Sequence, residues 1–198
     1  DGVDDKVTIS DNSAFDIANN ISISVWAKNH KTGLTDEEGL MAKYTASGTL
    51  REWSIEITDA EKPMMTISAD GSSTVNTATG TAVSLELWNH YVFTFASGTF
   101  KIYVNGSSQT VTEGGSALTS IHNNTADVTL GLHTSKFWDG FINECSIWET
   151  AVLTLAEVQE LFNDGVPLDA TTHTQASNLV GYWRNDGASS SQKALLLD

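Results

Sequence analysis

Carboxylates, tryptophans and histidines are the side chains with which this 198-residue chain could do chemistry. Asp4 and Asp5 stand together near its start, and Asn143 and Glu144 stand together late in it. Calcium takes roughly six to eight oxygen ligands, many from loop carboxylates and carbonyls. Asp4 and Asp5 are therefore the candidate calcium ligands, with Asn143 and Glu144 as partners across a sheet; the same aspartates could instead cap a turn. A retaining glycosidase needs two carboxyl groups about 5–5.5 Å apart, which one strand supplies only from positions two or four apart on the same face. On from Glu56 those positions hold Thr58 and Ala60, and on from Glu144 they hold Ser146 and Trp148. Neither run pairs carboxylates, so no catalytic residue is expected and the chain is read as a non-enzyme. A sugar stacks its apolar face on an aromatic ring while polar groups read its hydroxyls. Trp138 beside Asp139 in a loop suits that chemistry, and Trp53 borders the loop at 45–51. Trp26, Trp88, Trp148 and Trp183 alternate as core residues of strands would. The histidines, at 30, 90, 122, 133 and 173, show no zinc spacing.

These side chains must be positioned by a sheet protein. Tyr91, Phe93 and Phe95 alternate with Val92, Thr94 and Ala96, and after Ser97-Gly98 the residues Phe100, Ile102 and Val104 share a face opposite Lys101 and Tyr103. Asn105-Gly106 follows, the strongest short hairpin signal, because a type I′ turn needs positive φ at both central residues. Further strands are expected at Val7–Ile9, Ile21–Val25, Leu40–Tyr44, Trp53–Thr58, Met64–Ala69, Val128–Leu132, Phe141–Trp148 and Leu179–Trp183. Residues 30–39 and most of 105–126 are polar and read as loops. Thr154-Leu-Ala-Glu157 is a capping box that opens one amphipathic helix, with Leu155, Val158, Leu161 and Phe162 as its apolar stripe and Gly165 as its stop.

Ten basic residues against 25 acidic ones give a net charge of −15. Such a surface repels phosphate backbones and anionic lipid, so nucleic acid and membrane insertion are excluded as partners. Cys145 is the only cysteine, which rules out an intrachain disulfide. Its place in an apolar run makes it a buried, inert thiol. The chain opens at Asp1 without Met and reads as a fragment of a longer polypeptide. It is long enough for one sandwich domain with a proper core, expected over 1–186, with a tail at 187–198.

The order of these pieces resembles the laminin-G-like/pentraxin group of concanavalin A-like jelly rolls. The resemblance rests on Asp1-Gly-Val-Asp-Asp5, Ile21-Ser-Ile-Ser-Val-Trp26, Trp88-Asn-His90 through Tyr103-Val-Asn-Gly106, Leu130-Gly-Leu132, Trp138-Asp-Gly-Phe-Ile-Asn-Glu144, Trp148 through Glu157, and Leu179-Val-Gly-Tyr-Trp-Arg184. It implies an all-β fold, a two-sheet antiparallel jelly-roll sandwich with one short C-terminal helix. Some β-glucanases share that sandwich. Asn143 stands where the family usually has Asp. The loops that carry the pentraxin calcium carboxylates read Thr45-Ala-Ser-Gly-Thr49 and His133-Thr-Ser-Lys-Phe137, with no carboxylate in either. The resemblance implies a non-catalytic recognition module binding glycan or a surface polymer, extracellular or on a virion surface. The alternative is a structural module among the protein subunits of an exterior assembly, such as a virus or phage fibre or decoration protein.

Overall fold

The computed structural model describes residues 2–72 and 75–185. The expected tail at 187–198 and the domain end at 186 lie outside the described residues. The strands, in chain order, are β1 (Val7–Ile9), β2 (Asn20–Asn29), β3 (Glu38–Tyr44), β4 (Arg51–Ile57), β5 (Pro63–Ser68), β6 (Val75–Thr79), β7 (Asn89–Ala96), β8 (Thr99–Val104), β9 (Ser107–Ser108), β10 (Thr112–Gly115), β11 (Val128–Leu130), β12 (Leu132–His133), β13 (Lys136–Phe137), β14 (Gly140–Glu149) and β15 (Leu179–Trp183). One α-helix, α1 (Leu155–Phe162), lies between the last two strands.

Thirteen of these strands form two antiparallel sheets packed face to face, and β12 and β13 pair with each other as a separate hairpin. The seven-stranded sheet runs β1-β11-β3-β4-β5-β6-β10, and the six-stranded sheet runs β15-β14-β2-β7-β8-β9. Period-two alternation places the core between them, as it must when each sheet buries one face. Ile21, Ile23, Val25, Tyr91, Phe93, Phe95, Phe100 and Ile102 meet Met41, Trp53, Ile55, Ile57, Met65 and Ile67 there. The hairpin turns are as the sequence requires: Asn105 and Gly106 have φ of 50° and 72°, so both central positions are left-handed.

The outer face of the six-stranded sheet is also covered. Val158 and Leu161 of α1 pack with Val92, Tyr103, Trp148 and Tyr182 into a second apolar layer. The capping box forms as predicted, with the Thr154 hydroxyl accepting from Glu157 N–H and the Glu157 carboxylate accepting from Thr154 N–H. The helix stops earlier than Gly165. Asn163 is already left-handed at φ 44°, and Asp164 follows at 53°. Their short polar side chains tolerate that region. Phe162 stacks on Trp26 at 5.8 Å, and Trp26 stacks on His90 at 5.1 Å. Burial pushes the His90 imidazole down to about 3, so it stays neutral, with Nε2 hydrogen-bonded to the Ser24 hydroxyl at 2.7 Å. Cys145 is buried, and burial raises its thiol. No helix among the described residues is long and apolar enough to cross a membrane.

Candidate functional site

The feature that stands out on the surface is a pair of exposed aromatic rings. Trp88 precedes β7 instead of belonging to it, so strand alternation does not govern its side chain. Asn89 fixes its backbone, because its amide Nδ2 donates to Ser84 O at 2.8 Å and Leu87 O at 3.1 Å and its Oδ1 accepts from Asn105 Nδ2. The clamped turn leaves Trp88 44% exposed, which corrects its expected place in the core. Phe141, on β14 opposite Lys28 of β2, is 51% exposed. The two ring centroids lie 6.2 Å apart at an interplanar angle of 38°. His30 meets the Phe141 ring edge-on at 4.9 Å.

Polar groups line one end of this pair. Asp139 Oδ1 lies 3.1 Å from His30 Nδ1, and Lys31 Nζ lies 3.3 Å from Asp139 Oδ2 and 3.0 Å from Glu38 Oε1. The hydrogen bond from His30, and then Lys31, hold the Asp139 carboxyl below its ordinary value. Glu38, nearly buried, anchors the cluster by accepting from Asn29 Nδ2 at 2.7 Å and from Asp139 N–H at 3.0 Å. Beside Trp88 a pocket of about 200 Å³ is lined by Trp26, Asn143, Gly165 and Pro167. The arrangement offers two apolar ring faces next to a carboxylate, an imidazole and an ammonium, which is what a sugar needs.

The other sequence candidates sit differently. Trp53 is fully buried between the sheets and has no face on which a sugar could stack. Trp138 is 3% exposed, its indole N–H donating to Phe141 O at 3.2 Å. It is a core residue whose edge lines a cleft of about 660 Å³, where the β1–β11 edge of one sheet faces β14 and β15 of the other. Asp139 alone of the three expected ligand-binding residues borders the exposed rings. Asp4 and Asp5 are exposed, and the structure brings Asp5 and Asn143 to that same cleft. Glu144 does not join them. The strand bulges between Asn143 and Ser146, Glu144 takes a φ of 51°, and its carboxylate accepts from the Tyr182 hydroxyl and from Arg184 Nε at 3.2 Å. Asn143 Oδ1 accepts from the Glu144 and Asn185 N–H groups. The four expected calcium ligands therefore do not converge on one point.

A metal-competent cluster that the sequence did not reveal lies on the outer face of the seven-stranded sheet. There the β12–β13 hairpin folds over β3 and β4, so close that a Cβ on Gly39 would meet His133 N at 2.1 Å. His133 is carried onto Glu56, whose carboxylate accepts from its Nδ1, and Glu37 lies beside both. One donor atom from each of Glu37, Glu56 and His133 lies within 4.8 Å of the others, so this group could hold a metal ion. Burial, and then the Glu56 charge, raise the Glu37 carboxyl above its ordinary value. The donors come from three segments, with His133 lying 77 positions after Glu56, so no ligand spacing announces them.

The profile of a laminin G family, described as the concanavalin A-like lectin/glucanases superfamily, matches residues 1–159. No curated protein matches the sequence. Among solved structures, a candidate carbohydrate binding protein from Bacteroides ovatus superposes with a TM-score of 0.67 at 14% identity, over 96% of this chain and 52% of that one. This chain thus spans about half the length of that relative. Domain 4 of an extracellular arabinanase from Geobacillus stearothermophilus, in complex with arabinotriose, gives 0.58 at 21% identity, covering 79% of this chain and 71% of that one. The carbohydrate-binding module of a Ruminococcus gnavus sialidase, bound to α2,3 sialyllactose, gives 0.59 at 12% identity, covering 82% of this chain and 95% of that one. At these identities the likeness is one of fold.

Proposed function

Because the chain belongs to the laminin G-type family of the concanavalin A-like lectin/glucanases superfamily, we propose that it is a non-catalytic glycan-binding module whose platform is Trp88 and Phe141. The observation that carries the proposal is the pair of rings, 44% and 51% exposed and 6.2 Å apart, bordered by Asp139, His30 and Lys31. Isolated exposed apolar residues are ordinary on a protein surface, but adjacent aromatic rings beside charged groups suit a ligand with one apolar face and several hydroxyls. The sugar-bound modules that share the fold support the same class of ligand. Such a module would meet its glycan outside the cell or on a virion surface.

The non-catalytic part of the reading rests on the carboxylates. Glu56 is 1% exposed and held by His133 and Thr66, beneath the β12–β13 hairpin. Glu144 is held by Tyr182 and Arg184. Neither is placed to protonate or attack a glycosidic bond in open cleft water. The test is a glycan array on the wild-type chain, followed by calorimetry on Trp88→Ala and Phe141→Ala with the best glycan. Affinity should fall at least about tenfold in each variant, since binding of this kind is concentrated in few anchors. Unchanged affinity in both variants, or hydrolysis of the bound glycan that Glu56→Gln abolishes, would overturn the proposal.

A further inference from the structure

We propose that Glu37, Glu56 and His133 form a binding site for a divalent transition-metal ion of the zinc class. The donor set has one imidazole nitrogen and two carboxylates within 4.8 Å of one another. Calcium wants an all-oxygen shell of roughly six to eight donors, whereas zinc accepts three mixed nitrogen and oxygen donors and completes its tetrahedron with water. Donors around tetrahedral zinc, at bonds of about 2.0–2.2 Å, lie roughly 3.3–3.6 Å apart. Donors held within 4.8 Å of one another therefore lie near that spacing.

Two further observations bear on cation binding. His133 is 8% exposed, with Nδ1 held against Glu56, and its Nε2 is buried with no hydrogen-bond partner among the described residues. Buried polar nitrogens are normally satisfied, so the protein alone does not complete this imidazole. The cluster is also rich in carboxylates: Glu37 and Glu56 stand beside Asp36, which pairs with Lys136. The edge of the Tyr44 ring packs on His133 at 4.7 Å and limits its reorientation. Because Glu37 adjoins the start of β3, Glu56 is on β4 and His133 is on β12, a bound ion would pin the β12–β13 hairpin to the sheet. This site is separate from the Trp88–Phe141 platform and does not depend on it.

The experiment is calorimetric titration of the chelator-treated wild-type chain with zinc chloride at neutral pH. Cobalt substitution provides a visible-spectrum readout of coordination. The expected results are one zinc per chain, tetrahedral cobalt bands, a higher melting temperature with zinc, and no displacement by millimolar calcium. Glu37→Gln and His133→Gln should each weaken zinc binding at least tenfold. If His133→Gln does not fold, the half-buried Glu37→Gln decides on the same terms. Absence of zinc binding, full affinity in the variants, or displacement by equimolar calcium would each overturn the proposal.

Discussion

Trp53 and Trp88 were both candidates for other roles on sequence grounds, and replacing each by alanine separates the two placements. Trp53 is fully buried between the sheets, packed with the core residues of both. A tryptophan side chain buries roughly 150–250 Å², which at about 25 cal/mol per Å² corresponds to about 4–6 kcal/mol. Large-to-small changes at such sites cost about 3–5 kcal/mol in practice. Trp88 is 44% exposed, so a little over half of its surface is in contact. Its replacement should cost only about 2–3.5 kcal/mol on the same scale. Urea melts of Trp53→Ala and Trp88→Ala should therefore differ by at least about 1 kcal/mol at unchanged m-value. Glycan binding should show the opposite order. The milder Trp53→Phe should bind as wild type, and Trp88→Ala should lose most of its affinity. Equal stability losses in the two alanine variants, or intact binding in Trp88→Ala, would refute the reasoning.

Lys43 Nζ donates to Glu52 Oε2 at 2.8 Å, with both side chains 0% exposed. Burial, working against Lys43, pushes the Glu52 carboxyl from 4.5 up to about 8. Between those values the folded chain binds the extra proton, so this group's contribution to stability is present at low pH and lost as pH rises towards 8. The slope is at most about 1.4 kcal/mol per pH unit. Urea melts across this range should show that fall in the wild type and a flatter profile in Glu52→Gln, and identical slopes would remove the assignment. Thr154→Ala removes the hydroxyl that accepts from Glu157 N–H in the capping box and should destabilise by about 1 kcal/mol in a thermal or urea melt, with glycan binding unchanged because Thr154 opens α1 at the end away from Gly165 and Pro167, which line the pocket beside Trp88.

The sheet architecture was legible because its signals are local. Alternation in 91–104, the Asn105-Gly106 turn and the Thr154–Glu157 box each depend on residues a few positions apart, and each is found where it was expected. The ends of elements were less legible, because Asn163 and Asp164 adopt left-handed conformations that the nearby Gly165 appeared to claim. The site was the hardest part. Whether Trp88 faces core or solvent turns on the side-chain amide of Asn89, which holds the turn before β7. Trp138 looked loop-borne, yet its backbone N–H bonds to Gly131 O and draws the indole inward. Asn143 and Glu144, adjacent in sequence, serve different surroundings because the strand bulges just there. The Glu37–Glu56–His133 group depends on the β12–β13 hairpin closing over Gly39, a tertiary event with no trace in residue spacing.

The most direct test is a two-dimensional nitrogen–proton NMR titration of the wild-type chain with the best array glycan, following the indole N–H signals of its six tryptophans. If Trp88 and Phe141 are the platform, the Trp88 indole signal shifts with saturable dependence on glycan, the backbone amides of His30, Asp139 and Phe141 move with it, and the Trp53 signal stays in place. A Trp88 signal that does not move while the signals of Trp138, Asp5 and Asn143 shift would place the glycan in the cleft between the sheet edges and contradict the proposed platform.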